Sequence, residues 1–157
     1  NGYTMRVIEA VEAVNENQKE IVADKLKEAL GADLNGKVIA LWGLPFKPET
    51  DDMREAPALV AIDRLTRAGA AVRVYDPAAM DECRRRVGDA VVYCSDMYEA
   101  VVDADALVLL TEWKQFRLPS WTVIRKVMAN PLVIDGRNIY DKAELVAEGF
   151  TYKAIGK

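Results

Sequence analysis

The sequence contains no histidine, and this absence excludes several kinds of active site at once. Without histidine the chain cannot form a Ser-His-Asp triad, supply an imidazole ligand to a metal, or use the side chain that most often acts as a general base. Any chemistry must therefore use lysine, aspartate, glutamate, tyrosine or cysteine, and we predict no metal site.

Cysteine is scarce as well, because Cys83 and Cys94 are the only two. They form neither a CxxC pair nor another spacing that metal sites use. Two isolated thiols are typical of a reducing compartment. We therefore predict free thiols in a cytoplasmic protein.

Long apolar runs are also missing. No segment reaches the roughly 18 apolar residues that a membrane-spanning helix needs, and no signal peptide is recognisable, so we predict no membrane association.

The 157 residues, 51% apolar and 29% charged, suit about one globular domain. A net charge of -4 argues against a nucleic-acid partner. The chain begins without an initiator methionine, so we expect it to be part of a longer protein.

The glycine-rich dinucleotide fingerprint is absent where it would be expected. An apolar segment at 37–42, typical of a buried parallel strand, is followed at 43–57 by GLPFKPETDDMREAP. This layout of strand, turn, polar loop and helix start is typical of a nucleotide-binding crossover, yet Gly43 is its only glycine. Lys47 and Arg54, with acids between them, are present instead. We infer that side chains rather than backbone contact a nucleotide or phosphate.

Apolar residues recur at helical spacing over 4–30, and Gly31 follows as a stop signal. A helix of about 26 residues would be about 39 Å long, which exceeds a small domain. We therefore favour a connecting or dimer-forming helix, and the polar Asn15, Asn17 and Gln18 fit a partly polar contact. A long first helix of one compact domain is the alternative.

Beyond residue 37, short apolar segments alternate with helical patterns. Strands are predicted at 37–42, 71–75, 90–93, 106–111, 131–134 and 151–155, and helices at 56–68, 78–87, 96–102, 120–128 and 141–148. This alternation predicts an α/β fold with a mostly parallel sheet and helices on both faces. Asp76 and Asp135 each follow a strand, at the sheet edge where ligands of such folds bind.

Several motifs resemble the UDP-glucose/GDP-mannose dehydrogenase family. Residues 43–57 resemble its loop G-[LF]-x-F-K-x-x-T-x-D-x-R-x-S-P, and residues 3–30 resemble the end of the long helix on which those enzymes dimerise. Further matches are Tyr75-Asp76-Pro77, Thr111-Glu112-Trp113, Phe116-Arg117, Asp135-Gly136-Arg137-Asn138 and Gly149-Phe150-Thr151-Tyr152. The Thr-Glu-Trp and Phe-Arg pairs are more similar to the UDP-glucose 6-dehydrogenase branch than to its relatives.

The resemblance implies a division into two parts and a function. Residues 1–34 would be the carboxyl-terminal part of the dimer helix with a linker, and residues 35–157 a Rossmann-like UDP-sugar-binding domain of a homodimer. The implied enzyme uses NAD to oxidise UDP-glucose to UDP-glucuronate, for polysaccharide biosynthesis, in two hydride transfers. The catalytic cysteine and most of the NAD site would lie elsewhere in the enzyme, so we expect no catalytic residue here and no activity of this part alone.

The resemblance also assigns binding residues. It implies that Lys47 and Arg137 hold the nucleotide-sugar, and Phe46 can offer an apolar wall beside them. Arg54 would contact NAD across the domain cleft, although it could instead pair with Asp51 or Asp52. Those two acids we interpret as loop-ordering and helix-terminal residues rather than as acid/base groups.

Other residues of these motifs have structural interpretations. We expect Asp76 to order a turn, and Asp135 to orient Arg137 or its turn, with Gly136 allowing a sharp bend. Trp113 and Phe116 suit packing as well as a platform for uracil. Pro45 stands where the family usually has a small residue, and it offers no N–H to a ligand.

Three alternatives stay open. The chain could belong to a GDP-mannose or UDP-N-acetylmannosamine 6-dehydrogenase, it could be a non-catalytic nucleotide-binding module, or it could be a structural dimerisation domain.

Overall fold

The computed structural model describes residues 20–155. Within that range six strands form a single sheet in which every neighbouring pair is parallel. The strands are β1 (Val38–Trp42), β2 (Ala71–Tyr75), β3 (Val92–Tyr93), β4 (Ala106–Leu109), β5 (Leu132–Asp135) and β6 (Thr151–Ala154). Their order across the sheet is β3-β2-β1-β4-β5-β6. This is the Rossmann-like arrangement that the sequence predicted.

Helices alternate with the strands, as the sequence pattern predicted, with small shifts at the ends. They are α1 (20–30 as described), α2 (Pro57–Arg67), α3 (Met80–Val87), α4 (Met97–Val101), α5 (Trp121–Val127) and α6 (Lys142–Ala147). Two 3-10 turns, Gly88–Ala90 and Lys114–Phe116, lie between them. Each connection between consecutive strands from β1 to β6 thus contains a helix. Parallel neighbouring strands need such a crossover connection.

Two hydrophobic cores cover the two faces of the sheet. Alternate residues of β1 point to opposite faces, so Ile39 and Leu41 belong to one core while Ala40 and Trp42 belong to the other. The first core packs against α1, α2 and α3, and the second against α4, α5 and α6. This burial on both faces explains why the strands read as continuous apolar runs.

The described part of α1 packs on this domain. Val22 and Leu26 are buried in the first core, and Arg64 of α2 forms ion pairs with Glu20 and Asp24 at 3.4 and 3.1 Å. The helix ends as predicted at Gly31, whose φ is 96°. The polar residues 15, 17 and 18, in which we predicted a partly polar contact, lie outside the described residues, and the homodimer and the two-part division remain predictions.

The two cysteines lie on opposite faces of the sheet. Cys83 is buried in the first core and Cys94 in the second, so neither can reach the other to form a disulfide. Burial raises the pKa of each thiol. The prediction of free thiols is confirmed. No helix within residues 20–155 combines the length and apolarity needed to cross a membrane.

Candidate functional site

A cleft of about 700 Å³ opens at the carboxyl edge of the sheet. After β1 the chain crosses to β2 on one side of the sheet, and after β4 it crosses to β5 on the other side. The loops that follow the neighbouring strands β1 and β4 therefore diverge. Residues of the loops after β1, β4 and β5 line the cleft, and Val22 of α1 and Ile155 close it from the side. The cleft therefore lies at the usual ligand position of an open parallel sheet.

The backbone of the β1 loop has no free donors for a phosphate at its start. The N–H of Gly43 donates to the carbonyl of Tyr75 at 2.9 Å, the N–H of Leu44 donates to Asp76 at 2.9 Å, and Pro45 has no N–H. These backbone N–H groups are therefore not available to bind a dinucleotide pyrophosphate, in agreement with the missing glycine fingerprint.

Gly43 is required by a close approach between two loops. Its φ is 96°, and an added Cβ would lie 2.5 Å from the backbone N and the side chain of Thr111. The Thr111 hydroxyl donates to the carbonyl of Pro45 at 2.6 Å. The loop that carries Lys47 is therefore anchored on the loop after β4.

Asp76 joins three loops and is only 2% exposed. One carboxylate oxygen accepts the N–H groups of Ala78 and Ala79, both at 2.8 Å, as expected of a turn residue. The other accepts from the N–H of Leu44 and the indole of Trp113, both at 2.9 Å. With four donors satisfied, Asp76 is not available to a ribose, and our interpretation of it as a turn residue is confirmed.

The aromatic residues after β4 serve packing. Trp113 is 8% exposed, and Phe116 is fully buried with its ring stacked on Trp42 at a centroid distance of 5.0 Å. Neither lines the cleft. Of the two alternatives for these residues, the structure supports packing rather than a uracil platform.

Phe46 and Lys47 project from the anchored β1 loop and line the cleft. Phe46 is 50% exposed, which is unusual for a large apolar ring. Lys47 is exposed and makes no ion pair or hydrogen bond with any residue in the described range 20–155. An apolar ring and an uncompensated ammonium thus stand side by side at the ligand edge.

Asp135 orders the turn that carries Arg137. It is fully buried at the end of β5, where one carboxylate oxygen accepts the backbone N–H of Arg137 at 3.0 Å. The other oxygen accepts the N–H groups of Ile139 and Tyr140 and the hydroxyl of Tyr152, each at 2.8 Å. The expected orienting role of Asp135 is confirmed.

The chain turns at Gly136 and Arg137 directly after β5, as predicted. Gly136 itself has no positive φ, so its backbone conformation does not require glycine. An added Cβ would instead lie 2.6 Å from the carbonyl oxygen of Leu109 on the neighbouring strand. The glycine therefore permits close packing of the β5 turn on β4.

Arg137 lines the cleft opposite the β1 loop. Its Nε donates to Glu112 at 2.6 Å, and its guanidinium carbon lies 5.8 Å from the centroid of the Phe46 ring, within cation–π range. The sequence analysis missed Glu112 as a partner. The sequence alone carries no signal for it, because the contact depends on β4 and β5 being neighbours in the sheet.

Arg54 lies at the rim of the cleft and pairs with Asp52. The guanidinium donates through Nε and NH2 to both carboxylate oxygens, at 2.8 to 3.2 Å, and its side chain is 79% exposed. Hydrogen bonds from Arg54 lower the pKa of Asp52 to about 2, and the same bonds raise the pKa of Arg54. The loop-ordering role of Asp52 is confirmed.

The helix-terminal role of Asp51 and Asp52 is wrong. Helix α2 begins at Pro57, as predicted, and its first turn contains no acidic residue. Its N-cap is Ala56, with no side-chain cap. The acids lie too far upstream to interact with the helix dipole, which acts only within the first turn.

Known proteins and structures resemble this chain over most of its length. Residues 40–142 match the family described as UDP-glucose/GDP-mannose dehydrogenase family, UDP binding domain. The UDP-glucose 6-dehydrogenase of Pseudomonas aeruginosa is 46% identical over 99% of this chain and 36% of that protein, and its Rhizobium meliloti counterpart is 42% identical over 98% and 35%. A UDP-glucose dehydrogenase from Pyrobaculum islandicum superposes with a TM-score of 0.79 at 31% identity, covering 95% of this chain and 32% of that one. The chain thus spans about a third of the length of these relatives.

Proposed function

Because the chain belongs to the UDP-glucose/GDP-mannose dehydrogenase family, we propose that its cleft holds the nucleotide-sugar of a UDP-glucose 6-dehydrogenase. One observation supports this most directly. Phe46, Lys47 and Arg137, from loops after different strands, line the same cleft at the point where the strand order reverses. Ligands of open α/β sheets bind at this position.

Each of the three side chains has a distinct task in this proposal. The Lys47 ammonium is a compact charge without a carboxylate partner in residues 20–155, which suits a diphosphate. The Nε of Arg137 is engaged by Glu112, so its terminal nitrogens remain for the ligand. The half-exposed Phe46 ring supplies an apolar wall.

The proposed activity is oxidation of UDP-glucose to UDP-glucuronate in two steps. Bound NAD would accept a hydride in each step. The β1 loop has used its first backbone donors internally, so we propose that another part of the enzyme binds most of the NAD. The exposed Arg54 at the cleft rim would contact NAD through the guanidinium edge that Asp52 leaves open.

This chain would position substrate rather than react with it. A cysteine nucleophile needs an accessible thiolate, whereas Cys83 and Cys94 are buried and their pKa values are raised. We therefore expect the chain alone to form no NADH from UDP-glucose and NAD. In the whole enzyme, which we propose is a cytoplasmic homodimer joined through the helix that includes α1, positioning would lower the barrier by orienting the reacting sugar.

Calorimetric titration of the chain with UDP-glucose tests the site. Lys47→Ala and Arg137→Ala should each weaken binding roughly 10- to 100-fold, because each removes a hydrogen bond to a charged group worth about 1.5–3 kcal/mol. The control is Lys126→Ala on α5, which removes the same charge from an exposed position outside the cleft. Equal affinities of all three variants and the parent chain would contradict the proposal.

The same titration distinguishes the sugar. UDP-glucose, UDP-N-acetylmannosamine and GDP-mannose share a diphosphate, so we expect Lys47→Ala to weaken all three. Tighter binding of UDP-glucose than of the other two would support the proposed substrate. Tighter binding of GDP-mannose would favour that alternative, and equal binding of UDP alone would place specificity in another part of the enzyme.

A further inference from the structure

A second pocket, of about 250 Å³, lies beside the edge strand β6. Its walls carry Lys25, Lys142 and Lys153, together with Tyr152 and Ala154. None of the three ammonium groups forms an ion pair with a carboxylate in the described part of the chain, residues 20–155. We call this group the lysine pocket.

The three lysines reach the pocket from separate elements. Lys25 belongs to α1, which packs on the first core, whereas Lys142 begins α6, which packs on the second. Lys153 is a residue of β6 itself. The fold thus brings three positive charges together at the sheet edge, although these charges repel one another.

The backbone of β6 adds donors to the same place. The N–H of Thr151 donates to Pro131 at 2.7 Å and the N–H of Ile155 to Asp135 at 3.3 Å, both toward β5. Alternate residues of a parallel strand share a direction, so the N–H groups of Tyr152 and Ala154 point away from β5. Among residues 20–155, no other strand pairs with that edge of β6.

We propose that the lysine pocket binds a small molecule with a phosphate group of two or more negative charges. Three ammonium groups and outward N–H groups form a donor set that an anion neutralises, and no carboxylate is among the lining residues in the described range 20–155. The volume admits a pyrophosphate or a sugar phosphate. This site is separate from the cleft and does not rest on the proposed function, although consecutive residues Ala154 and Ile155 line the two.

Lysines at a sheet edge also have a simpler use. Charged side chains on an edge strand prevent a second chain from adding to it. If the lysines only prevent strand addition, the variant that lacks them should self-associate, and the parent chain should have no specific affinity for anions. The lysine pocket predicts saturable binding of phosphate compounds, so one set of variants separates the two.

The test is calorimetric titration with inorganic pyrophosphate and, separately, with glucose 6-phosphate, at constant ionic strength. A Lys25→Gln/Lys142→Gln/Lys153→Gln variant should bind roughly 8- to 125-fold more weakly, because each lysine should contribute about two- to fivefold. Lys47→Gln/Arg137→Gln, which alters the cleft, should retain this binding, and Lys126→Gln is the charge-matched control. Amide shifts of Tyr152 and Ala154 in ¹⁵N spectra should follow the same saturation curve.

The two probes identify the form of the ligand. Binding of pyrophosphate alone indicates an inorganic anion, whereas tighter binding of glucose 6-phosphate indicates a phosphorylated sugar. Unchanged affinity in the triple variant would overturn the proposal, as would association of that variant without loss of a specific anion site. Loss of UDP-glucose binding only in the cleft variant keeps the two sites distinct.

Discussion

The Nε of Arg137 lies 2.6 Å from a carboxylate oxygen of Glu112, so a negative charge directly contacts a cation of the cleft that we propose holds an anion. The Glu112 side chain is 15% exposed and that of Arg137 32%. The pair holds one edge of the guanidinium, while the Phe46 ring lies within cation–π range. Glu112 therefore limits the orientations of Arg137 and also reduces the local positive charge.

These two effects of Glu112 can be separated by substitution. Glu112→Ala releases Arg137, and we expect UDP-glucose binding to weaken about 3- to 10-fold, the loss of roughly one ordinary hydrogen bond. Glu112→Gln keeps an acceptor for Nε and removes the opposing charge, so binding should equal or exceed that of the parent chain. Calorimetry measures both, with Glu148→Ala on the surface as control. Weaker binding by the Gln than by the Ala variant would contradict the orienting role.

A second prediction concerns the contact between Gly43 and Thr111. Gly43→Ala should lower the free energy of unfolding by about 2–5 kcal/mol, because it combines an unfavourable φ with steric overlap in a packed loop. Gly36→Ala is the matched control, since Gly36 also has positive φ, 79°, but an added Cβ would meet no atom of residues 20–155 within 4 Å. Its effect should be only about 1–2 kcal/mol. Urea denaturation compares them, and equal losses would show that φ alone matters.

Much of the fold could be predicted because local patterns determine it. Buried parallel strands such as β1 and β4 leave apolar runs, and helices such as α2 leave apolar residues at helical spacing. Lys47 and Arg137 could be located at the ligand edge because each follows a predicted strand within a family-like motif. Whether they bind a nucleotide-sugar remains a prediction.

The contacts between loops could not be predicted in the same way. The bonds of Asp76 to Trp113 and of Arg137 to Glu112 depend on which strands are neighbours, and periodicity does not reveal strand order. The reason for Gly136, a close approach to the next strand, depends on the same information. Long-range geometry, rather than local propensity, decides these details of the site.

The Asp52–Arg54 pair predicts a measurable titration. The pKa of Asp52 is about 2 in the folded chain against an ordinary value of 3.8, so the pair contributes stability above pH 3.8 that is lost as pH falls through 2. We expect a carboxyl ¹³C titration midpoint near 2 for Asp52. In Arg54→Gln it should move toward 3.8, because the hydrogen bonds that cause the shift are reduced. High salt should move it the same way, since the pair is exposed. An unshifted midpoint in the parent chain would contradict the pairing.

Asp76 offers the strictest test of how the β1 loop is held. All of its four partners are N–H donors, so an asparagine would turn its NH2 group toward at least one of them. Asp76→Asn should lower the free energy of unfolding by about 2–3 kcal/mol, the effect of an unsatisfied buried donor. Asp63→Asn, in an exposed pair with Arg67, is the control and should change it by less than about 0.5 kcal/mol. Urea denaturation followed by tryptophan fluorescence measures both variants. Asp76 also holds Leu44, in the loop that carries Lys47, so Asp76→Asn should weaken UDP-glucose binding even under conditions in which the variant is fully folded. Unchanged stability and unchanged affinity would show that the Thr111 contact alone holds the loop.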